Sequence, residues 1–391
     1  MASEESLKIQ LYDNLGSLEG IRADWDALLA EFPHATTFST WEWLAPWWRA
    51  FGESDRLHVL AFRDAASALI GLAPLALTTL SVFPTRLRLL RMMGDGSHDS
   101  DNLDLPVRSG REAEFSSALL DWLEQHARDW DICGLHTLPA HSPVSLRLLN
   151  DLKLRNWRAF TSTHPHTVVE LPENWETYTK ALSSKERGKI GLRSRRLEKK
   201  YKVQIRKCTD EAELDSLLAA LFELHGQHWQ LRGLPGTLRS PARRQFYGEL
   251  ARLLLARRRL EFWALELDGR IVAIQFGFRH GSTVFSLQEG FDPADASDSV
   301  GYVLRSQVLK QLIADGVRCY DFLGGTDESK LRWGAQVKSY LNIDFARPLT
   351  RGTLHLSLQY KSAETKAWLR TNLPQPLLRV LKRGRRILPE G

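Results

Sequence analysis

One carboxylate stands alone in a short apolar run, residues 319–323, that ends in Gly324 and Gly325. Strand alternation puts Cys319, Asp321 and Leu323 on one face and Tyr320 and Phe322 on the other. A charge in an otherwise buried strand costs heavily unless it is paired or used. Lys330 and Arg332 are close in sequence and are its candidate partners. A carboxylate at a strand end beside a cleft also suits a general base. Glu289, at the end of the preceding apolar segment, is the rival for that role, and Tyr302 and Tyr320 are candidate proton donors to a leaving group. Asp321, Glu289, Tyr302 and Lys330 form the candidate catalytic set. Cys319 has no histidine placed beside it by any sequence signal, so a thiol nucleophile is not favoured.

A second chemical signal lies just upstream. The segment DPADASDSVG at 292–301 follows a strand pattern and leads into a helix pattern. Ser297, Ser299 and Gly301 put small residues where a backbone could approach a ligand. A helix start offers unpaired N–H groups and the positive end of a dipole, which suits a phosphate. An ordinary N-cap at Ser297 or Ser299 is the competing reading, and Asp292, Asp295 and Asp298 favour an anion only if they point away or are paired. His225 and His228 stand three apart on a helix pattern, but no third ligand is evident, so no metal is expected.

The elements that must position these residues repeat. Residues 57–63 and 68–77 read as a hairpin, 87–93 as a third strand, 94–102 as a polar loop, 112–128 as a helix and 131–138 as a strand. Downstream, 261–267 and 270–279 read as a hairpin around Asp268-Gly269 and 283–290 as a third strand. A polar loop at 291–299, a helix at 300–314 and a strand at 318–323 follow. Two similar α/β halves are expected, from repetition of pattern rather than of residues. Phe38, Trp41, Trp43, Trp47, Trp48 and Phe51 read as a helix over 40–50 packed on a sheet. Two more helices are expected at 211–232 and 240–259, a strand at 338–345, and a helical tail at 354–388 broken at Pro374–Pro376.

Charge is concentrated. Residues 185–207 hold eleven basic and two acidic side chains, so the remainder, with 42 basic and 45 acidic, is close to neutral although the whole chain is +6. A cationic helix over 183–201 is expected, either as a solvated bridge or as a phosphate-binding surface. The chain has 391 residues, 43% of them hydrophobic, enough for sizeable cores. Three scattered cysteines point to a reducing compartment. The polar amino end reads as no secretory leader, and the longest apolar stretch, 68–77, is short of the ~20 residues a membrane span needs. A cytoplasmic protein is expected, with peripheral membrane association through the basic, leucine-bearing end at 377–388.

Residues 261–334 resemble the GNAT acyltransferase core, and more closely the CelD/BcsL cellulose-biosynthesis branch, relatives of the Fem peptidoglycan-bridging transferases. The resemblance is carried by FSTWEWL at 38–44, the basic helix, GFDP at 290–293, VGY at 300–302 and YDFLGGTDESKLRWG at 320–334. The last run is similar to the family ending DFLxGxxxYKxxW, with Ser329 where an aromatic residue is usual. The loop pattern (Arg/Gln)-x-x-Gly-x-(Gly/Ala) is kept only at its central glycine, Gly301.

What the resemblance implies is an α/β (α+β) chain of two tandem GNAT-like domains, each a mixed, mainly antiparallel sheet flanked by helices. The units would be 1–175 (acceptor side), a basic connector at 176–207, the acyltransferase domain at 208–350 and a helical basic tail at 351–391. It further implies acetyl-CoA or another acyl-CoA as donor, bound by Leu287, Gln288, Ser297, Ser299, Val300, Gly301 and Tyr302. The acidic loop at 94–102 would repel a pyrophosphate, so the first half is expected to carry no cofactor. Transfer would be direct attack on the thioester. Backbone N–H groups near residues 287–289 would polarise its carbonyl, Asp321 or Glu289 would take the proton, and the acceptor would be a small molecule or sugar. An aminoacyl-tRNA donor, as in Fem-type relatives, is the second choice, and a non-catalytic role in exopolysaccharide assembly is the third.

Overall fold

The computed structural model describes residues 7–97, 99–231, 233 and 236–372. The first half runs β1 (Lys8–Tyr12), α1 (Leu15–Glu19), α2 (Arg22–Glu31), α3 (Trp41–Phe51), β2 (Arg56–Arg63), β3 (Leu69–Val82) and β4 (Thr85–Met92). It continues with α4 (Glu112–Gln125), β5 (Ile132–Pro139), α5 (Pro143–Leu154) and β6 (Arg158–Glu170). Next come α6 (Trp175–Ala181) and the cationic α7 (Ser184–Lys200), the latter capped by Ser183, whose Oγ accepts from Glu186 N. The second half runs β7 (Val203–Lys207), α8 (Leu214–Leu231), α9 (Pro241–Ala256), β8 (Leu260–Leu267), β9 (Arg270–His280) and β10 (Thr283–Phe291). It ends with α10 (Val300–Ala314), β11 (Cys319–Gly324), α11 (Glu328–Leu331), β12 (Gln336–Ala346) and α12 (Arg351–Asn372). The expected repeat is present. The expected break at Pro374–Pro376 and the basic end at 377–388 lie outside the described residues.

Among the described residues all twelve strands join one sheet, in the order β1-β2-β3-β4-β5-β12-β6-β11-β10-β9-β8-β7. Adding six to each strand number of the first half reproduces the second half in reverse, so the sheet has a pseudo-two-fold at its centre. The two halves exchange their last strands. β12 pairs with β5 of the first half, β6 pairs with β11 of the second, and β6 and β12 pair with each other from Arg158–Ala346 to Val168–Gln336. Pairing is antiparallel except β4–β5 and β10–β11.

The strands form because their apolar residues fall on faces that helices cover. Leu260, Phe262, Ala264, Ile274, Phe276 and Phe278 from the β8–β9 hairpin pack with Phe246 and Leu250 of α9. The aromatic helix α3 crosses between the halves: Trp43 meets Phe246 edge-on at 5.1 Å, and Phe38, just before it, meets Phe278 and Phe285. A separate core on the other face joins α10, through Val303, Leu304 and Val308, to Tyr320 and Phe322 of β11 and to Ile190 and Leu197 of α7. The cationic helix therefore has an apolar seam buried against the second half, with its cations around the remaining faces. Among the described residues no helix is long and apolar enough to cross a membrane.

Candidate functional site

β10 and β11 start as a parallel pair and then part. They are in register from Thr283–Cys319 to Phe285–Asp321, after which β10 stays on β9 up to Phe291 while β11 stays on β6. A bulge between Ser286 and Gln288 leaves Leu287 without a partner on β9, which turns its backbone out of the ladder. The result is a wedge-shaped gap in the sheet, with a cavity on each side.

The first cavity, about 300 Å³, lies between β10 and the start of α10. Ser299, Val300, Gly301 and Tyr302 line it, together with Glu289, Arg305 and Trp333. Ser299 adopts a left-handed φ of 60°, and the first N–H groups bonded back into the turn are those of Tyr302 and Val303, both to Ser299 O. The Val300 and Gly301 N–H groups thus belong to an uncapped helix start. The three acidic residues of the preceding loop are paired outward: Arg270 binds Asp292 at 2.5 Å and Asp295 at 2.8 Å, and Asp298 binds Lys200 at 2.7 Å and Tyr201 at 3.2 Å. Cations reach the cavity from elsewhere. Arg193 of α7 lies over the Tyr302 ring at 4.3 Å, and Arg332 also lines the cavity. Sequence reading missed Arg193, because cations on every face of α7 hide which one points inward. Burial and the Glu186 carboxylate push the Tyr302 hydroxyl up to about 12.

The second cavity, about 450 Å³, lies between the halves. Its lining includes Asp95, Asp99 and Asp101 of the first half's polar loop, His136 and His164, and Leu287, Phe322, Gly324 and Lys330 of the second half. The expected cofactor set therefore divides. Leu287 and Gln288 line this cavity, Ser299 to Tyr302 line the other, and Ser297 is exposed and lines neither.

Asp321 is 4% exposed. Its Oδ1 accepts from Leu323 N at 2.7 Å and lies 3.5 Å from His166 Nδ1 on β6. The expectation that Lys330 or Arg332 pairs with Asp321 is corrected. The Lys330 ammonium is held by the carbonyls of Phe322, at 3.1 Å, and Gly324, because α11 returns its side chain to the end of β11 rather than to the buried middle. Burial, helped by the Arg305 charge, lowers the Lys330 pKa. Glu289 is ion-paired to Arg305, and its side chain is 56% exposed, so of the two base candidates Asp321 is the desolvated one. Asp101 accepts from Gly324 N at 3.0 Å, and burial beside Asp321 raises its carboxyl. Tyr320 is fully buried with its hydroxyl bonded to Gln275. Burial pushes the Cys319 thiol up to about 11, the wrong direction for a nucleophile. His225 is buried and its Nε2 accepts from Trp229 Nε1 at 2.9 Å; the His228 side chain lies outside the described residues. Among the described residues no group of three or more His, Cys, Asp or Glu is placed to hold a metal.

Residues 184–331 match the acetyltransferase (GNAT) domain family. The matched stretch starts at α7 and ends in α11, and so contains the gap, the α10 start and Asp321. No curated protein matches the chain. Among solved structures, that of FemX superposes with a TM-score of 0.61 at 13% identity, covering 83% of this chain and 95% of that one. A conserved protein of unknown function from Bacteroides thetaiotaomicron superposes with a TM-score of 0.54 at 12% identity, covering 87% of this chain and all of that one. At such identities the likeness is one of fold. Residues 184–331 are thus similar to GNAT acetyltransferase domains, and the chain shares its fold with FemX.

Proposed function

We propose that the chain is an acyl-CoA-dependent N- or O-acyltransferase acting on a small or sugar-related acceptor. The reading is carried by the parting of β10 from β11 beside an uncapped helix start whose acidic neighbours are neutralised. The donor's pyrophosphate would meet the Val300 and Gly301 N–H groups, with Arg193 and Arg332 supplying the charge that the degenerate loop lacks. Its pantetheine arm would extend along β10 toward the gap. The bulged Leu287 N–H is the donor best placed to polarise the thioester carbonyl.

The acceptor would enter from the second cavity. As its nitrogen or oxygen bonds to the acyl carbon, its proton passes to the Asp321 carboxylate, the carbon–sulfur bond breaks and the thiolate leaves. Lys330 and Tyr302 supply positive charge and a proton donor near the leaving group. A sugar acceptor and a place in cellulose or capsule assembly rest on the resemblance to the CelD/BcsL branch.

A second reading, a charged tRNA as donor, is favoured by one observation: Lys185, Arg187, Arg195, Arg196, Lys199 and Lys200 are exposed on α7 beside the first cavity. Calorimetry separates the two. Acetyl-CoA binding at one site per chain supports the first reading. Salt-sensitive tRNA binding without acetyl-CoA binding replaces it with the second.

A further inference from the structure

The pseudo-two-fold supplies an internal control for the base. In each half the strand after the helix bulges, four residues against three. On β11, Asp321 to Gly324 stands opposite Val168 to His166; on β5, Leu135 to Leu138 stands opposite Ile343 to Leu341. A left-handed residue falls at the same place in both, Leu323 at φ 60° and Thr137 at φ 57°. By this register the counterpart of Asp321 is Leu135 and that of His166 is Leu341. The architecture accepts two leucines here. A buried aspartate beside a buried histidine is therefore not demanded by the fold, and it costs desolvation that a leucine pair would not.

We propose that His166 is a positioning residue for Asp321, so that the base of the second half's site is held by a side chain which the first half delivers on its exchanged last strand. The proposal rests on the acyl-transfer reading above.

The ring is itself fixed. It stacks on Tyr340 of β12 with centroids 4.0 Å apart and planes 15° from parallel, and the Tyr340 hydroxyl accepts from Asn102 Nδ2 at 3.0 Å. Both neighbouring strands hold its backbone, opposite Gly324 on β11 and Lys338 on β12. Other charged or titratable groups near it are His164 on its own strand, Asp101 from the polar loop and Lys338, opposite it on β12. The left-handed turn at Leu323 brings its N–H back onto Asp321 Oδ1, and His166 Nδ1 lies 3.5 Å from the same oxygen, to which the Nδ1–H tautomer would donate. In that tautomer both donors bind Oδ1, and Oδ2 is the oxygen that takes the acceptor's proton. At 3.5 Å the contact is long, as catalytic hydrogen bonds often are before substrate binds.

Two readouts test this. In ¹⁵N-histidine spectra of the whole chain, His166 is expected as the Nδ1–H tautomer, which gives way to a mixture in Asp321→Asn; a wild-type Nε2–H tautomer overturns the proposal. In thiol release from acetyl-CoA with D-glucosamine as the probe acceptor, His166→Leu is expected to lower kcat about tenfold with KM for acetyl-CoA unchanged. His166→Asn, which keeps an N–H near that oxygen, is expected to recover most of the rate. Wild-type kcat in a folded His166→Leu variant overturns the proposal. If wild type releases no thiol, transfer to this acceptor fails as a reading, and the tautomer alone decides the pair.

Discussion

The two halves share strand order, bulge and left-handed residue, yet differ in what occupies the gap beside the third strand. In the second half β10 and β11 part around open space. In the first half β4 and β5 part after Arg91–Gly134, and the following loop is fastened down. Trp43 Nε1 donates to Ser100 Oγ and Trp47 Nε1 to Ser97 Oγ, each at 2.9 Å, and Leu103 and Leu105 are buried below. The helix starts differ too. α4 opens with Glu112 and Glu114, whereas α10 has no acidic residue in its first turn. The comparison shows that the topology makes a gap twice, and that the halves differ in how the following loop is held and in the charge at the helix start.

The largest expected effect breaks the comparison at its chemical centre. Asp321→Asn should lower turnover by about 10²–10⁴-fold while the melting temperature stays within a few degrees; thiol release from acetyl-CoA measures it. Full activity would remove the base assignment. The next variant gives the second half's helix start the first half's charge. Gly301→Glu should weaken acetyl-CoA binding more than about tenfold by calorimetry. The far-UV spectrum should be unchanged, since a Cβ there meets only the Phe291 ring at 3.6 Å. Ala113→Glu, at the start of α4, should leave binding as it is.

How much of this was legible in the sequence depends on locality. Hairpins and helices with clear periods, such as β8–β9 and α10, are written in neighbouring residues. β6 is not. Its sequence, RAFTSTHPHTVVE, is polar and holds a proline, and much of it is exposed, so no alternation announces a strand. It is ordered by two neighbours distant in sequence, β11 and β12. For that reason His166, 155 residues from Asp321, was invisible while Lys330, nine residues away, looked like the partner. The charge of the 292–298 loop was legible, but its pairing with Arg270 and Lys200 required the fold.

A smaller effect lies on the first half's side of the second cavity. His136 sits 3.0 Å from both Asp95 and Asp344. Burial opposes its charge, but the hydrogen bonds and charges of Asp344 and Asp95 outweigh burial and raise it from 6.5 to about 10. A base raised on folding stabilises fully below its unfolded value and loses that contribution as pH climbs through its folded value. Stability to urea should therefore fall between pH 6.5 and 10, and His136→Gln should flatten the slope. Smallest is Ser100→Ala, which removes the acceptor of the buried Trp43 N–H and should cost about 1–3 kcal/mol without changing acetyl-CoA affinity.

The central claim is that only the second half's gap holds a nucleotide-headed thioester. Hydrogen exchange with and without acetyl-CoA tests it most directly. Exchange is expected to slow at residues 286–291 and 299–303 and to stay unchanged at residues 91–96 and 110–114. Protection at the first half's segments instead, or at neither, would contradict it.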